Sequence, residues 1–278
     1  GLVGSDMCIR DRSLSGWQAF GQVIVATALV VSYFSGPTLN FGDFSRYCRS
    51  MHDVRRGNFW GLPVNFLAFS LVTVVIVSGT LPVFGEMLHD PIATVSRIDN
   101  SMAVLLGAFA FVTATIGINI VANFVSPAFD FANVAPSKIS WRAGGMIAAV
   151  ASIFITPWNL FNNPLMIHYT LDILAAFIGP LFGILIVDFY LIKKQKIDVD
   201  ALFDDSPNGR YYYDGGVNWT AVKALVPATL VGVAITFTPA LQGMANFAWF
   251  TGCFLGGLFF LVLARREQVR APTSLVAG

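Results

Sequence analysis

The amino-acid sequence predicts an all-α membrane protein with about seven transmembrane helices. Of its 278 residues, 55% are hydrophobic and only 12% are charged, whereas a soluble domain has roughly 25% charged residues. The mean hydropathy of +0.68 and the long apolar stretches between polar loops indicate the same class. The 17 Lys and Arg residues nearly balance the 16 Asp and Glu residues, for a net charge of +1. The charge therefore gives no indication of a basic surface that binds nucleic acid.

The first residues are predicted to lie outside the folded domain. They are polar and aperiodic, and Met7 to Arg12 resembles translated sequencing-adapter read-through. We therefore expect a non-native or disordered leader at 1–15, a transmembrane domain at 16–266 and a cytoplasmic tail at 267–278. The abrupt start of the first apolar stretch near Trp17 predicts that the natural protein begins further upstream.

Seven stretches are apolar enough to cross a bilayer, which takes about 20 residues each. Lipid offers no partner for a free backbone amide, so each stretch should be helical. The predicted spans are Trp17–Leu39, Gly61–Phe84, Ser101–Ala128, Ala143–Thr156, Pro164–Ile192, Val217–Ala240 and Asn246–Ala264.

Basic residues in alternate loops predict the orientation of these spans, because Lys and Arg collect on the cytoplasmic side. Among Lys and Arg residues, the loops on the opposite side contain only Arg97. The C-terminus is therefore predicted to be cytoplasmic. The basic loop residues follow the first, third, fifth and last spans: Arg46, Arg49, Arg55, Arg56, Lys138, Arg142, Lys193, Lys194, Lys196, Arg210, Arg265, Arg266 and Arg270.

The first span contains Gly36 and Pro37 side by side, with hydroxyl side chains nearby. Proline removes a backbone hydrogen bond and clashes with the preceding turn. Unwound backbone at membrane depth is typical of a transporter's binding site, so the pair predicts a broken helix there. A simple proline kink is the alternative.

Asp43 and Arg46 follow at the cytoplasmic end of the first span, three residues apart. On a helical turn the two side chains can pair. The pair is either a hinge or gate, or an ordinary interfacial salt bridge.

Asn119 and Asn123 lie four residues apart in the third span, on one face of a helix. An amide in lipid is costly unless it has partners. Because an amide offers both a donor and an acceptor, the pair suits the alternating edge of a pyrimidine or ureide ring. Contact between helices is the alternative, and Asn123 is the better candidate for substrate.

His168 and Asp172 begin the fifth span, again four residues apart. Such a pair can relay protons or can be a solvated structural pair near the outer surface. Motifs of metalloproteases, serine hydrolases and phosphate-binding loops are absent from the sequence. We therefore expect no catalytic residue, metal site or cofactor, and a protein that is not an enzyme.

Taken in order, these motifs resemble the nucleobase:cation symporter-1 family, which carries cytosine, uracil, purines, allantoin, hydantoins or thiamine. The most specific match is Asn40 to Tyr47, which is similar to the family pattern Asn-x-x-Asp-Phe-Ser/Thr-Arg-Tyr. Supporting matches are Asn119 with Asn123, Pro157–Asn159, Pro180 to Tyr190 and Tyr213 to Asn218.

The resemblance implies a leucine-transporter-like fold of two inverted five-helix repeats followed by two further helices. This chain would hold family helices six to twelve, that is, the second repeat and the two extra helices. The family aromatic that stacks on the substrate ring matches Phe34, and Tyr33 and Gly36 flank it. The family Asn that binds the ring edge matches Asn123, with Asn119 one turn before it.

One departure from the family concerns the coupling ion. Sodium-coupled members resemble one another in a Ser-Thr pair whose hydroxyls hold the ion, and the matching positions here are Gly117 and Ile118. Ala114 still offers a carbonyl. A hard cation needs several oxygen ligands, so H⁺ is the expected coupling ion rather than Na⁺, and Asp43, His168 and Asp172 are candidate carriers.

The resemblance therefore predicts a cation-coupled importer of a nucleobase or related heterocycle such as uracil, cytosine or allantoin. A permease for thiamine or a hydantoin is the alternative within transport. The alternative of another class is a channel or scaffold, although no repeated filter or charged pore ring is present. We expect a monomer in the bacterial inner membrane whose partners are lipid and a small heterocycle.

Overall fold

The structure, a computed structural model, describes residues 15–156, 159, 164–204, 206–241, 244 and 247–270. The predicted leader and the residues after 270 therefore fall almost entirely outside the described residues. The α-helices of the described part are α1 Gly16–Leu39, α2 Phe41–Ser45, α3 Met51–Phe84, α4 Pro91–Ser96, α5 Ser101–Val134, α6 Trp141–Ile155, α7 Pro164–Ile186, α8 Trp219–Phe237 and α9 Ala248–Arg270.

The helices form two compact units. One unit contains α1 with α7, α8 and α9, and the other contains α2 to α6. In the first unit α7 packs against α8 and α9, and α1 packs against α7; in the second, the C-terminal part of α5 packs against α6.

Each of the seven predicted spans is confirmed as an apolar helix, and five of them are long enough to cross a membrane within the described residues. Those five are Met51–Phe84, Ser101–Val134, Asp172–Ile192, Trp219–Phe237 and Ala248–Glu267. The apolar segments Gly16–Ser32 and Trp141–Ile155 are shorter. Most apolar side chains point outward, as expected where lipid replaces water.

Polar side chains mark where several helices begin. Ser50, Asn100, Ser140 and Asn218 each accept a hydrogen bond from the backbone amide three residues on. Such caps satisfy amides that have no partner inside the helix. They fix the residues at which α3, α5, α6 and α8 begin.

Three π-helical turns interrupt the regular geometry of the long helices in the described residues. They lie at Trp60–Val64 inside α3, at Asn119–Phe124 inside α5, and at Val187–Ile192 directly after α7. A π-turn widens the helix by one residue and is frequent at functional sites. The turn in α5 coincides with both candidate amides.

Glycines let helices α7 and α9 approach each other closely. A Cβ placed on Gly179 would lie 2.5 Å from the Trp249 carbonyl oxygen, and one on Gly256 would lie 2.7 Å from the Pro180 Cα. One on Gly183 would overlap the Cys253 carbonyl. Small residues at this seam let the two helices approach closely, which is how helices associate in lipid.

The predicted break at Gly36 and Pro37 is wrong, because α1 continues through both residues to Leu39. Pro37 removes the one amide that would donate to the Tyr33 carbonyl, and only two further helical residues follow it. The neighbouring hydroxyls bond within the helix: Thr38 Oγ1 donates to the Phe34 carbonyl at 2.9 Å, and Ser35 Oγ donates to the Ser32 carbonyl at 2.6 Å. The chain turns at Asn40 instead, before α2 begins.

Candidate functional site

Asn119 and Asn123 are joined in a hydrogen-bonded relay along the π-turn of α5. Asn119 Nδ2 donates to the Thr115 carbonyl at 2.8 Å, and Asn123 Nδ2 donates to Asn119 Oδ1 at 2.7 Å. Asn119 therefore anchors to backbone on one side and holds Asn123 on the other. The two predicted candidates form one unit, in which Asn123 is the outer member.

The relay leaves a defined set of hydrogen-bonding groups on Asn123. Both amides are exposed in the described structure, and Asn123 uses one of its two N–H groups on Asn119. The second N–H and the Oδ1 carbonyl have no partner within the described residues. One donor beside one acceptor is complementary to a ring edge that carries a carbonyl next to an N–H.

The predicted cation positions lie one turn before the relay. Gly117 and Ile118 carry no side-chain oxygen, and a Cβ on Gly117 would meet no described atom within 4 Å. The nearby Thr113 hydroxyl donates to the Phe109 carbonyl at 2.8 Å, and the Thr115 carbonyl already accepts from Asn119. Within the described residues, the side chains of Gly117 and Ile118 therefore add no oxygen ligand near Ala114, and the identity of the coupling ion stays a prediction.

Phe34 and Gly36 lie in the last turns of α1. Phe34 is half-buried, and its carbonyl accepts from Thr38. The side chain of Tyr33 lies outside the described part of the chain. Because α1 and α5 belong to separate units, the approach of Phe34 to Asn123 stays a prediction.

The expected pair between Asp43 and Arg46 is confirmed, with 3.8 Å between Asp43 Oδ1 and Arg46 Nη2. The Asp43 side chain is only 13% exposed, against 48% for Arg46. The Arg46 guanidinium also lies over the Phe129 ring, 4.1 Å from its centroid, in cation–π contact. Since α2 packs on the C-terminal part of α5, Arg46 connects the motif to the helix that carries Asn123.

The predicted pair of His168 and Asp172 is only partly visible. Asp172 is half-buried on α7, and the side chain of His168 lies outside the described residues. Their pairing therefore stays a prediction.

Comparison with known proteins identifies the family. Residues 6–252 match the family described as permeases for cytosine/purines, uracil, thiamine and allantoin. The chain belongs to this permease family. The resemblance drawn from the motifs is thereby confirmed, and the permease family consists of transporters rather than enzymes.

Several curated permeases are similar to this chain. An allantoin permease of Bacillus subtilis is 31% identical over 246 residues, which cover 88% of this chain and 49% of that protein. A purine-uracil permease of Arabidopsis thaliana is 32% identical over 270 residues, covering 93% of this chain and 44% of that protein. A hydantoin permease of Microbacterium maritypicum is 28% identical over 178 residues, 62% of this chain and 34% of that protein. No solved structure matches the chain.

The chain thus spans about half the length of the curated permeases it matches. Family membership and the apolar helices make it an integral membrane protein. Sequence reasoning missed Phe129 as the partner of Arg46 and the π-turn beneath the two amides. No sequence signal marked Phe129, because the two residues in contact lie far apart in the chain.

Proposed function

We propose that the complete protein is a cation-coupled importer of a nucleobase or related nitrogen heterocycle such as uracil, cytosine or allantoin. The observation that carries the proposal is the amide relay, in which Asn119 binds one N–H of Asn123 and leaves one donor and one acceptor of this exposed amide without a partner in the described residues. Uracil, cytosine and allantoin all carry carbonyl and N–H groups on neighbouring atoms, and so match that pair. Similarity to permeases named for allantoin and for purine and uracil supports the same substrate class.

In this proposal Phe34 stacks on the flat ring, with Tyr33 and Gly36 beside it, and Asn123 binds the ring edge. The fold is the leucine-transporter-like arrangement, of which this chain supplies helices six to twelve. The C-terminus is cytoplasmic in a bacterial inner membrane, as the basic loops indicate, and the protein is a monomer.

Substitution of Asn123 tests the substrate site. Asn123→Ala in the full-length transporter should lower uptake of the transported ring while leaving the amount of protein in the membrane unchanged, because the bound ring loses paired groups worth about 1–3 kcal/mol. Uptake of radiolabelled uracil, cytosine, allantoin and hydantoin is the measurement. Asn65→Ala, an exposed amide on α3, is the matched control. Normal uptake kinetics in the Asn123 variant would assign the amides to helix packing instead.

We also propose that H⁺ rather than Na⁺ drives transport, because Gly117 and Ile118 cannot supply hydroxyl ligands. Uptake into vesicles should persist when choline replaces sodium at fixed pH, and should rise with an imposed proton gradient. Uptake that needs sodium and ignores the proton gradient contradicts this coupling.

The variant Asp172→Asn tests whether Asp172 carries the proton. In this variant, accumulation of substrate should stop while downhill exchange continues.

The contact of Arg46 with Phe129 is the proposed gate. Phe129→Leu keeps an apolar side chain but removes the ring that receives the cation, so the maximal uptake rate should fall while KM stays constant. Phe109→Leu, on the exposed surface of α5, is the control. An unchanged rate in the Phe129 variant would reduce the contact to a structural one.

A hydantoin or thiamine permease is the second candidate, and similarity to a hydantoin permease favours the first of these. Competition between unlabelled rings for uptake decides among the substrates. Accelerated exchange tests the alternative of a channel. Preloading vesicles with the unlabelled ring compound should speed the entry of the labelled compound, an effect that an open pore does not produce.

A further inference from the structure

A cavity lies among α7, α8 and α9, within one of the two compact units. Its volume is about 510 Å³, within the range of small-ligand sites. Its walls come from the residues that end the span Asp172–Ile192, begin the span Trp219–Phe237 and end the span Ala248–Glu267, together with the loop between the first two. A cavity at the ends of three membrane spans lies at the level of lipid headgroups.

Part of the charge in this cavity is already neutralised. Lys193 Nζ donates to Asp188 Oδ2 at 2.5 Å, and both side chains are largely covered. The Thr220 hydroxyl donates to Glu267 Oε1 at 2.5 Å, joining α8 to α9. These contacts build the wall of the cavity rather than occupy its space.

Charged side chains of both signs remain available on the lining. Lys223 and Asp214 form no ion pair within the described residues. Arg210 is 67% exposed and forms an ion pair with Asp198, at 3.8 Å between Nη1 and Oδ2. Its guanidinium also lies 5.8 Å from the centroid of the Tyr211 ring. The cavity thus offers cations on Lys223 and Arg210 together with the carboxylates of Asp214 and Glu267.

This balance selects the type of ligand. A plain phosphate or an anionic lipid would leave the carboxylates without a cationic partner, and repulsion from Asp214 would oppose binding. A zwitterion satisfies both signs. Tyr211, Tyr213 and Trp219 also line the cavity, and such aromatic side chains are enriched at headgroup level and attract ammonium groups.

We propose that this cavity binds the headgroup of a zwitterionic phospholipid with a primary ammonium, such as phosphatidylethanolamine. Lys223 and Arg210 take the phosphate through charge-assisted hydrogen bonds, and Asp214 and Glu267 accept from the ammonium. The acyl chains then lie along the apolar surfaces of the three spans. The site is independent of the transported ring, and it does not depend on which side of the membrane the loop faces.

The test is lipid titration of the delipidated full-length transporter in detergent, followed by native mass spectrometry. Phosphatidylethanolamine should bind about tenfold more tightly than phosphatidylglycerol, since one extra charge-assisted contact is gained. Lys223→Gln should weaken phosphatidylethanolamine by about tenfold. Asp214→Asn should weaken phosphatidylethanolamine but not phosphatidylglycerol, so the preference between the two lipids collapses. Soluble glycerophosphoethanolamine should compete with the lipid.

Two variants separate a lost site from a damaged fold. Lys194→Gln removes a neighbouring charge that does not line the cavity and should bind like the wild type. Lys223→Arg keeps the charge and should retain most of the affinity, with an unchanged melting temperature. Equal affinity of the wild type for the two lipids, or unchanged selectivity in Asp214→Asn, would overturn the proposal and reduce the result to adventitious lipid binding. Because no step measures transport, failure here leaves the substrate proposal unaffected.

Discussion

The relay in α5 predicts that Asn119 acts on substrate through Asn123. If Asn119 contacts the ring itself, Asn119→Ala and Asn123→Ala should weaken binding independently. If Asn119 only orients Asn123, removing Asn119 should cost nothing once Asn123 is gone. The 2.7 Å bond between Asn123 Nδ2 and Asn119 Oδ1 favours the second outcome.

The expected magnitudes follow from this geometry. Asn119→Ala removes one neutral hydrogen bond worth about 0.5–1.5 kcal/mol, which corresponds to about 2- to 12-fold weaker binding. Asn123→Ala removes the contacts to the ring, about 1–3 kcal/mol or 5- to 150-fold. The double variant should bind like Asn123→Ala alone. The coupling energy is then about 1 kcal/mol, above the 0.3–0.5 kcal/mol by which independent sites deviate from additivity.

The assay is equilibrium binding of radiolabelled substrate to the purified full-length transporter, for the wild type, both single variants and the double variant. Additive losses in the double variant would refute the positioning role and would make Asn119 a direct substrate contact. Unchanged affinity in Asn119→Ala would show that the π-turn orients Asn123 without its neighbour.

The remaining predictions concern stability. Gly179→Ala should lower the melting temperature of the purified transporter, because the new Cβ would stand 2.5 Å from the Trp249 carbonyl oxygen and overpacking costs about 1–3 kcal/mol. The control is Gly21→Ala, which should be neutral or stabilising because a Cβ there meets no described atom within 4 Å. Equal melting temperatures of the two variants would contradict the close contact between α7 and α9. Burial lowers the pKa of Lys193, but the hydrogen bond and charge of Asp188, with Tyr213, outweigh it and raise the pKa above 10.5. A group whose pKa is higher in the folded protein stabilises the fold at pH values below its unfolded pKa, and this stabilisation is lost as the pH rises through the folded pKa. The wild type should therefore melt above Asp188→Asn by a constant difference up to about pH 10, and the difference should shrink above that pH. A difference in melting temperature that grows with pH would contradict this sign.

The sequence predicted the helices well because hydropathy and length decide what crosses a bilayer. Helix starts were less well placed: α3 begins at Met51, ten residues before the predicted Gly61. The signal was present, since Ser50 is an N-cap residue whose side chain accepts from the Asp53 amide at 3.2 Å. A search for apolar stretches misses this start because the first turn of α3 is polar.

The candidate site was predicted in residues more than in geometry. Spacing placed Asn119 and Asn123 on one face, but the π-turn that joins them adds a residue to the helix without changing the hydropathy pattern. The break at Pro37 was wrong because a proline's effect depends on how much helix follows it, and α1 ends at Leu39. The contact of Arg46 with Phe129 joins residues far apart in sequence, which no local pattern records.

The glycine seam between α7 and α9 bears on how the protein is assembled during synthesis. The ribosome makes α7 first and then α8, so the seam of α7 stays unpartnered in the bilayer until α9 is complete. That delay is tolerable because an α-helix pairs its own backbone amides and exposes none of them to lipid. The seam closes only when α9 arrives, as a docking of helices already formed in the membrane. Interrupting translation before residue 248 should therefore leave α7 packed on α8 and α1 but with its glycine face open to lipid.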